Sequence, residues 1–232
     1  MNTLIHYPLC PFSRSIRILL AELKVPFALV EEKPWEWRPE FLAINPSGDL
    51  PVLQLTDGGT VPGCYAIAEY LADVVRASPP DEREFDPFPG TIEARAEVRR
   101  LSDWFQHKLD REVTRELLRE KAYPRLRKDA AAQPPDPDLL RAIRANLRYH
   151  LSYISYLADQ RRWLAGDALT FADMAAAAQL SVFDYLDEVA WETSPVARDW
   201  YMRMKSRPSF RPLLADRLPG ITPPDHYADL DF

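Results

Sequence analysis

Apolar residues come in short runs through the first third of the chain and at helical spacing thereafter. Thr3-Leu4-Ile5-His6-Tyr7 suits a buried strand, and after Pro11 the positions Ile16, Ile18, Leu19, Leu20 and Leu23 recur as on one face of a helix. Pro26 to Glu31 reads as a second strand. Pro34 to Ile44 reads as a short helix or turn carrying Trp35, Trp37 and Phe41. Leu50 to Leu55 is a third strand, and Asp57-Gly58-Gly59 turns it into Thr60-Val61. Tyr65 to Val75 returns to helix, with Ile67, Tyr70, Leu71 and Val74 on one side. Strand, helix, strand, then hairpin and helix is a thioredoxin-like layout.

Beyond a proline-rich stretch the pattern is helical almost throughout. Thr91 to Ala122 predicts one long helix, capped by Thr91 and ended before Pro124. Asp138 to Arg162 predicts another, with Leu139, Leu140, Ile143, Leu147, Leu151, Ile154 and Leu157 as its buried stripe. Thr170-Phe171-Ala172-Asp173 is a capping box, and the Ala-rich helix it opens should be central. Antiparallel helices joined by short proline turns form a bundle. The expected organisation is a thioredoxin-like α/β domain over 1–77, a linker over 78–90, an all-helical domain over 91–215 and a tail over 216–232.

Composition narrows the class. The chain has 232 residues, 47% hydrophobic and 28% charged, with net charge -6 and no long basic run, which excludes a nucleic-acid footprint. Two cysteines make no disulfide framework. Neither a signal peptide nor a membrane span is read from it, so a cytoplasmic protein is expected. There are 22 prolines and only 7 glycines, so the connectors are stiff.

The candidate chemistry lies at Cys10. It falls at or just before a helix N-terminus, where unpaired N–H groups and the helix dipole lower a thiol pKa. Cys10-Pro11-Phe12-Ser13 looks like a Cys-x-x-Cys motif with the second thiol replaced, so Ser13 cannot resolve a mixed disulfide. Thiolate chemistry by Cys10 alone, or none, is left. His6, His107 and His150 show no ligand spacing, and no metal site is expected. Asp103, Asp110 and Glu120 are expected on a solvated or subunit-facing side of their helix. Trp35 and Trp37 cannot both be core, and exposed Trp and Arg are typical interface anchors.

Cys-Pro-Phe-Ser-Arg between strand and helix, Asn45-Pro46-Ser47-Gly48-Asp49-Leu50-Pro51-Val52-Leu53, Tyr65-Ala66-Ile67 and Gly166-Asp167-x-x-Thr170-x-x-Asp173 together resemble the glutathione S-transferase superfamily. The resemblance covers residues 1 to 215. It implies a cis bond before Pro51, with the Leu50 backbone where the family pairs with the cysteinyl part of glutathione. It implies a glutathione site descended to Tyr7, Cys10, Arg14, Leu50, Pro51, Gly63 and Cys64. The family's acidic residue or Gln and following Ser, which hold the γ-glutamyl ammonium and carboxylate, are here Gly63 and Cys64. One charge-assisted hydrogen bond, worth roughly 1.5–3 kcal/mol, is lost and another weakened. No cofactor is therefore expected, the alternative being weakly bound glutathione. No catalytic residue is expected either, the alternative being Cys10 or Ser13 in a glutathione transferase or thiol transferase.

Residues Glu31 to Phe41, Tyr149 to Ile154, Pro208 to Asp216 and Pro223 to Phe232 are similar to a narrower group, FtsZ-localised protein A, bacterial division proteins on this same fold. That likeness implies a homodimer that binds FtsZ filaments at the division site. The expected partner surface joins Trp35, Trp37 and Arg38 to the tail residues Asp225, His226, Tyr227, Asp229 and Phe232. The subunit contact is expected along the helix bearing Trp104, Phe105 and Leu109.

Overall fold

The structure, a computed structural model, describes residues 1–79, 81, 83–127 and 134–230. Phe232 lies outside the described residues. β1 (Asn2–His6), α1 (Pro11–Glu22) and β2 (Phe27–Glu31) form a parallel unit. A 3₁₀ turn (Pro34–Glu36) and α2 (Pro39–Ile44) lead to the hairpin of β3 (Val52–Gln54) and β4 (Thr60–Pro62), then α3 (Cys64–Ala77). The sheet order is β2-β1-β3-β4, with β3 antiparallel to both neighbours. Leu4 in the central strand pairs with Leu29 on one side and Leu53 on the other. Pro11 opens α1 where its missing N–H costs nothing, and the Cys10 sulfur accepts from the Ser13 N–H as the cap.

The helical part begins at α4 (Ile92–Asp103), capped by the Thr91 hydroxyl on the Ala94 N–H. The same helix then widens to π winding over Trp104–Thr114, passes through α5 (Arg115–Leu117) and a second π stretch (Leu118–Ala122), and ends in α6 (Tyr123–Leu126). The expected stop before Pro124 is thus replaced by an end at Leu126. Pro124 sits at the opening of α6, where the change of winding leaves its missing N–H without cost. α7 (Pro137–Gln160) follows, its N-terminus capped by Asp136. α8 (Phe171–Tyr185) is buried along its whole length, as the Ala-rich run predicts. α9 (Pro195–Lys205) and α10 (Arg211–Leu214) pack around it.

α1 packs directly on α8, so the sheet domain and the helical domain share one core. That contact explains why α1 is buried nearly all round, Arg14 and Arg17 included. Phe105 and Leu109 differ from expectation. Both are fully buried, because the π segment packs on α8 and α7 and needs apolar residues toward each. Trp104 is half-buried against Tyr153, its ring centroid 4.6 Å away.

The tail is docked. Leu218 and Ile221 bridge, the Leu218 N–H donates to the Tyr185 hydroxyl, and that hydroxyl donates to the Ile221 carbonyl. No helix of the described residues is long and apolar enough to cross a membrane.

Candidate functional site

A cleft of about 600 Å³ opens where the C-terminal end of β1, the start of α1 and the start of α3 face the π-wound helix, a size usual for small-molecule sites. Tyr7, Cys10, Leu50, Gly63 and Cys64 line it from the sheet domain. Leu50-Pro51 is cis, as the family likeness implies. It brings the Leu50 carbonyl to 4.0 Å from the Cys10 sulfur. Gly63, at φ 90°, is the N-cap of α3 and offers no side chain. A Cβ built there would meet nothing within 4 Å, so the site has room where the family's acidic residue or Gln is missing.

The two thiols are poorly placed for chemistry. Burial pushes the Cys10 thiol up, and the Ser13 hydrogen bonds and Phe12 N–H offset this only in part. The lowered pKa expected from the helix start is therefore reversed, because desolvation of the thiolate outweighs the partial positive charge of one helix end. Cys64 is buried under Ser15, Gln106 and the Phe12 carbonyl, and burial lifts its pKa to about 12. Ser13 is fully buried, with its N–H spent on Cys10.

Arg14 does not face the cleft. Its guanidinium is fully buried and donates to the Pro8 carbonyl at 2.6 Å, to Ser181 Oγ at 2.8 Å, to the Tyr227 hydroxyl at 3.1 Å and to Asp216 at 3.5 Å. It is a structural cation that joins α1 to α8 and to the tail.

The opposite wall holds residues that the sequence reading did not select. Gln106, Asp110, Arg115, Arg119 and Tyr123 all line the cleft. Their spacing of four and five residues matches i→i+5 winding, which keeps them on one line where an α-helix would spiral them away. Asp110, expected on a solvated or subunit-facing side of its helix, is buried in the cleft wall. Burial raises its pKa, while Arg115 at 2.9 Å opposes the shift. The repeat of polar residues every four to five positions was the available signal.

The residues expected to bind a partner separate into two places. Trp35 is half-buried, edge-on to Tyr7 at 4.9 Å and tilted on Tyr123 at 5.5 Å. It is therefore part of the cleft's support. Trp37 is 62% exposed, its backbone left-handed at φ 49° and its ring over Gly48. The Arg38 guanidinium donates to both carboxylate oxygens of the buried Glu32. Among the described tail residues none lines the cleft. Tyr227 is fully buried and His226 Nε2 lies 3.3 Å from the buried Asp184, so these two hold the tail to the body and are not free contacts. Asp225 and Asp229 remain exposed. The tail runs over α1, α8 and α9, and neither its described residues nor Trp37 lines the cleft.

Two family models match, the glutathione S-transferase N-terminal domain over residues 9–74 and its C-terminal domain over 117–208. The chain is 46% identical to "FtsZ-localized protein A" of Caulobacter vibrioides, covering all of this chain and 98% of that one. Among solved structures it superposes on a glutathione S-transferase from Rhodospirillum rubrum with TM-score 0.93 and 47% identity, each chain covered completely. FzlA from C. crescentus gives TM-score 0.92 at 44% identity, covering all of this chain and 99% of that one. A sheet domain with its cis-proline, a cleft against a helical domain and full-length likeness together place this chain in the glutathione S-transferase superfamily, beside its FtsZ-localized member.

Proposed function

We propose that this protein is a division-site adaptor that binds FtsZ filaments as a homodimer and does not conjugate glutathione. The carrying observation is the 46% identity, over its whole length, to a protein named for FtsZ localisation. The cleft supports the same reading. Burial pushes the Cys10 thiol toward its neutral form, which disfavours thiol transfer by Cys10 itself. Conjugation needs a firmly held γ-glutamyl group, and Gly63 offers no carboxylate for its ammonium. Trp37 is the leading contact for the filament, a large exposed aromatic on a rigid turn. For the dimer, Tyr65 on α3 and Ile92 on α4 supply exposed apolar surface in place of the buried Phe105 and Leu109. Two copies would present two filament sites, and the gain in avidity needs no new contact.

The test is co-sedimentation with FtsZ filaments beside glutathione calorimetry. The parent protein should pellet with filaments and bind glutathione weakly or not at all. Trp37→Ala should reduce pelleting while leaving the thermal melt unchanged. Micromolar glutathione affinity with turnover lost in Cys10→Ala would replace this reading with an enzyme.

A further inference from the structure

β2 lies at an edge of the sheet, bonded to β1 on one side and, among the described residues, to no strand on the other. The Glu32 N–H reaches the His6 carbonyl at 2.8 Å. In a parallel pair the direction of the backbone groups alternates from residue to residue. Ala28 and Val30 therefore turn their N–H and C=O to β1, as Glu32 turns its N–H. Phe27, Leu29 and Glu31 turn theirs outward, and no described residue hydrogen-bonds them.

This edge lacks the usual protection. Proteins blunt an exposed edge with lysine, proline, a bulge or a covering loop. Between Phe27 and Glu31 there is no lysine and no proline, and the register to β1 runs one to one without a bulge. Two neighbouring apolar residues are open, Leu29 at 44% exposed and Val30 at 47%. Consecutive strand side chains point to opposite faces, so apolar surface flanks the open backbone row on both sides. The strand has 5 residues, an edge of about 16 Å.

Charge narrows what can be added there. Glu31 is the only charged side chain in β2, is exposed, and pairs with no described cation. The cations nearest to it along the chain are committed elsewhere: Lys24 to Glu84, Lys33 to Glu36 and Arg38 to Glu32. The edge thus combines open backbone donors and acceptors, apolar flanks and one uncompensated carboxylate. None of its residues lines the cleft.

We propose that β2 receives an extended, apolar and basic peptide segment of a partner protein as an added strand. A row of alternating N–H and C=O groups matches another extended backbone, and neither a lipid nor a nucleic acid reproduces it. Leu29 and Val30 cover aliphatic side chains of the added strand, and Glu31 pairs with its lysine or arginine. A second copy of this chain fits less well, since each carries net charge -6 and brings to the contact only another glutamate.

The test uses the full chain and fluorescence anisotropy of a labelled eight-residue peptide that alternates valine and lysine. One control is the same peptide N-methylated at every amide, and the other alternates valine and glutamate. The valine–lysine peptide should bind, and both controls should bind at least about tenfold more weakly. On binding, amide hydrogen exchange should slow at Leu29 and Glu31, whose N–H groups point outward. Leu29→Pro removes one outward N–H and spares the ladder to β1, a placement that edge strands tolerate, and should weaken binding at least about tenfold. Glu31→Lys should reverse the preference between the lysine and glutamate peptides. No binding of the valine–lysine peptide, equal binding of all three, or unchanged exchange at Leu29 and Glu31 overturns the proposal, and these readouts on the parent protein stand even where a variant fails to fold. A self-associated form lost in Leu29→Pro assigns the edge to a second copy instead. Loss of FtsZ co-sedimentation in Leu29→Pro, with an unchanged melt, assigns it to the filament instead.

Discussion

Removing the single hydroxyl of Tyr227 tests whether the tail is a structural part of the protein. Tyr227 is fully buried. Its oxygen accepts from Arg14 Nη1 at 3.1 Å and donates to the Leu213 carbonyl at 3.1 Å. Its ring stands edge-on to Tyr185 at 5.1 Å. Tyr227→Phe keeps the ring packing and deletes only the two hydrogen bonds. Arg14 retains Pro8, Ser181 and Asp216 as partners, while the Leu213 carbonyl loses its side-chain donor. A hydrogen bond to a charged group is worth roughly 1.5–3 kcal/mol, so Tyr227→Phe should destabilise by about 2 kcal/mol. Tyr227→Ala adds a cavity and should cost about 3 kcal/mol more. For a chain of this size a loss of 2 kcal/mol lowers Tm by roughly 4–8 °C. Urea unfolding followed by far-ultraviolet circular dichroism measures both variants. A change below about 0.5 kcal/mol for Tyr227→Phe would mean that the tail is not held as described. A change in filament binding without any change in stability would return Tyr227 to the partner surface.

Restoring the missing contacts with Gly63→Glu and Cys64→Ser should tighten glutathione at least about tenfold. The positive φ at Gly63 should cost the variant stability, and unchanged affinity in a folded variant would show that the cleft is blocked elsewhere. Alkylation of Cys10 by iodoacetamide should reach half its maximal rate at a pH above about 8.5, where an ordinary thiol ionises, because burial raises its pKa; a midpoint near neutral pH would reveal a stabilised thiolate. His6 has its pKa lowered to about 4 from 6.5 by burial and then by Arg17. It stays neutral in the fold while the unfolded chain takes up a proton below pH 6.5. Stability is therefore lost as pH falls from 6.5 toward 4, by about 3 kcal/mol in total. The stability difference between His6→Gln and the parent should shift by that amount between pH 7 and pH 4, and a flat difference contradicts the assignment.

Structure is legible in the sequence where neighbouring residues determine the outcome. Pro11 at the start of α1, Thr91 as a cap and the Thr170–Asp173 box are all decided within one helical turn, and each is found as expected. The cleft floor around Pro51 followed from the family likeness. Features that depend on distant parts of the chain are not legible in this way. Arg14 looks like a cleft cation from its place beside Cys10, yet its partners Ser181, Asp216 and Tyr227 lie far along the sequence. Phe105 and Leu109 look like surplus surface on a one-sided amphipathic helix, but that helix has neighbours on two sides. The helix terminus beside Cys10 is legible in the sequence, but the burial that outweighs it belongs to the folded surroundings and not to that turn.

The docked arginine also bears on how the protein is made. Arg14 leaves the ribosome 213 residues ahead of Tyr227. Until α8 and the tail follow, the first domain must keep that guanidinium in water or shield it by other means, since an unpaired buried charge is strongly disfavoured. A finished N-terminal domain is therefore not expected on the nascent chain, although its sheet and helices are complete by Ala77. Final closure of α1 waits for α8 and Asp216, so a chain that ends before them leaves the Arg14 guanidinium with the Pro8 carbonyl alone. Quality-control proteases would have a structural basis for telling truncated copies from whole ones.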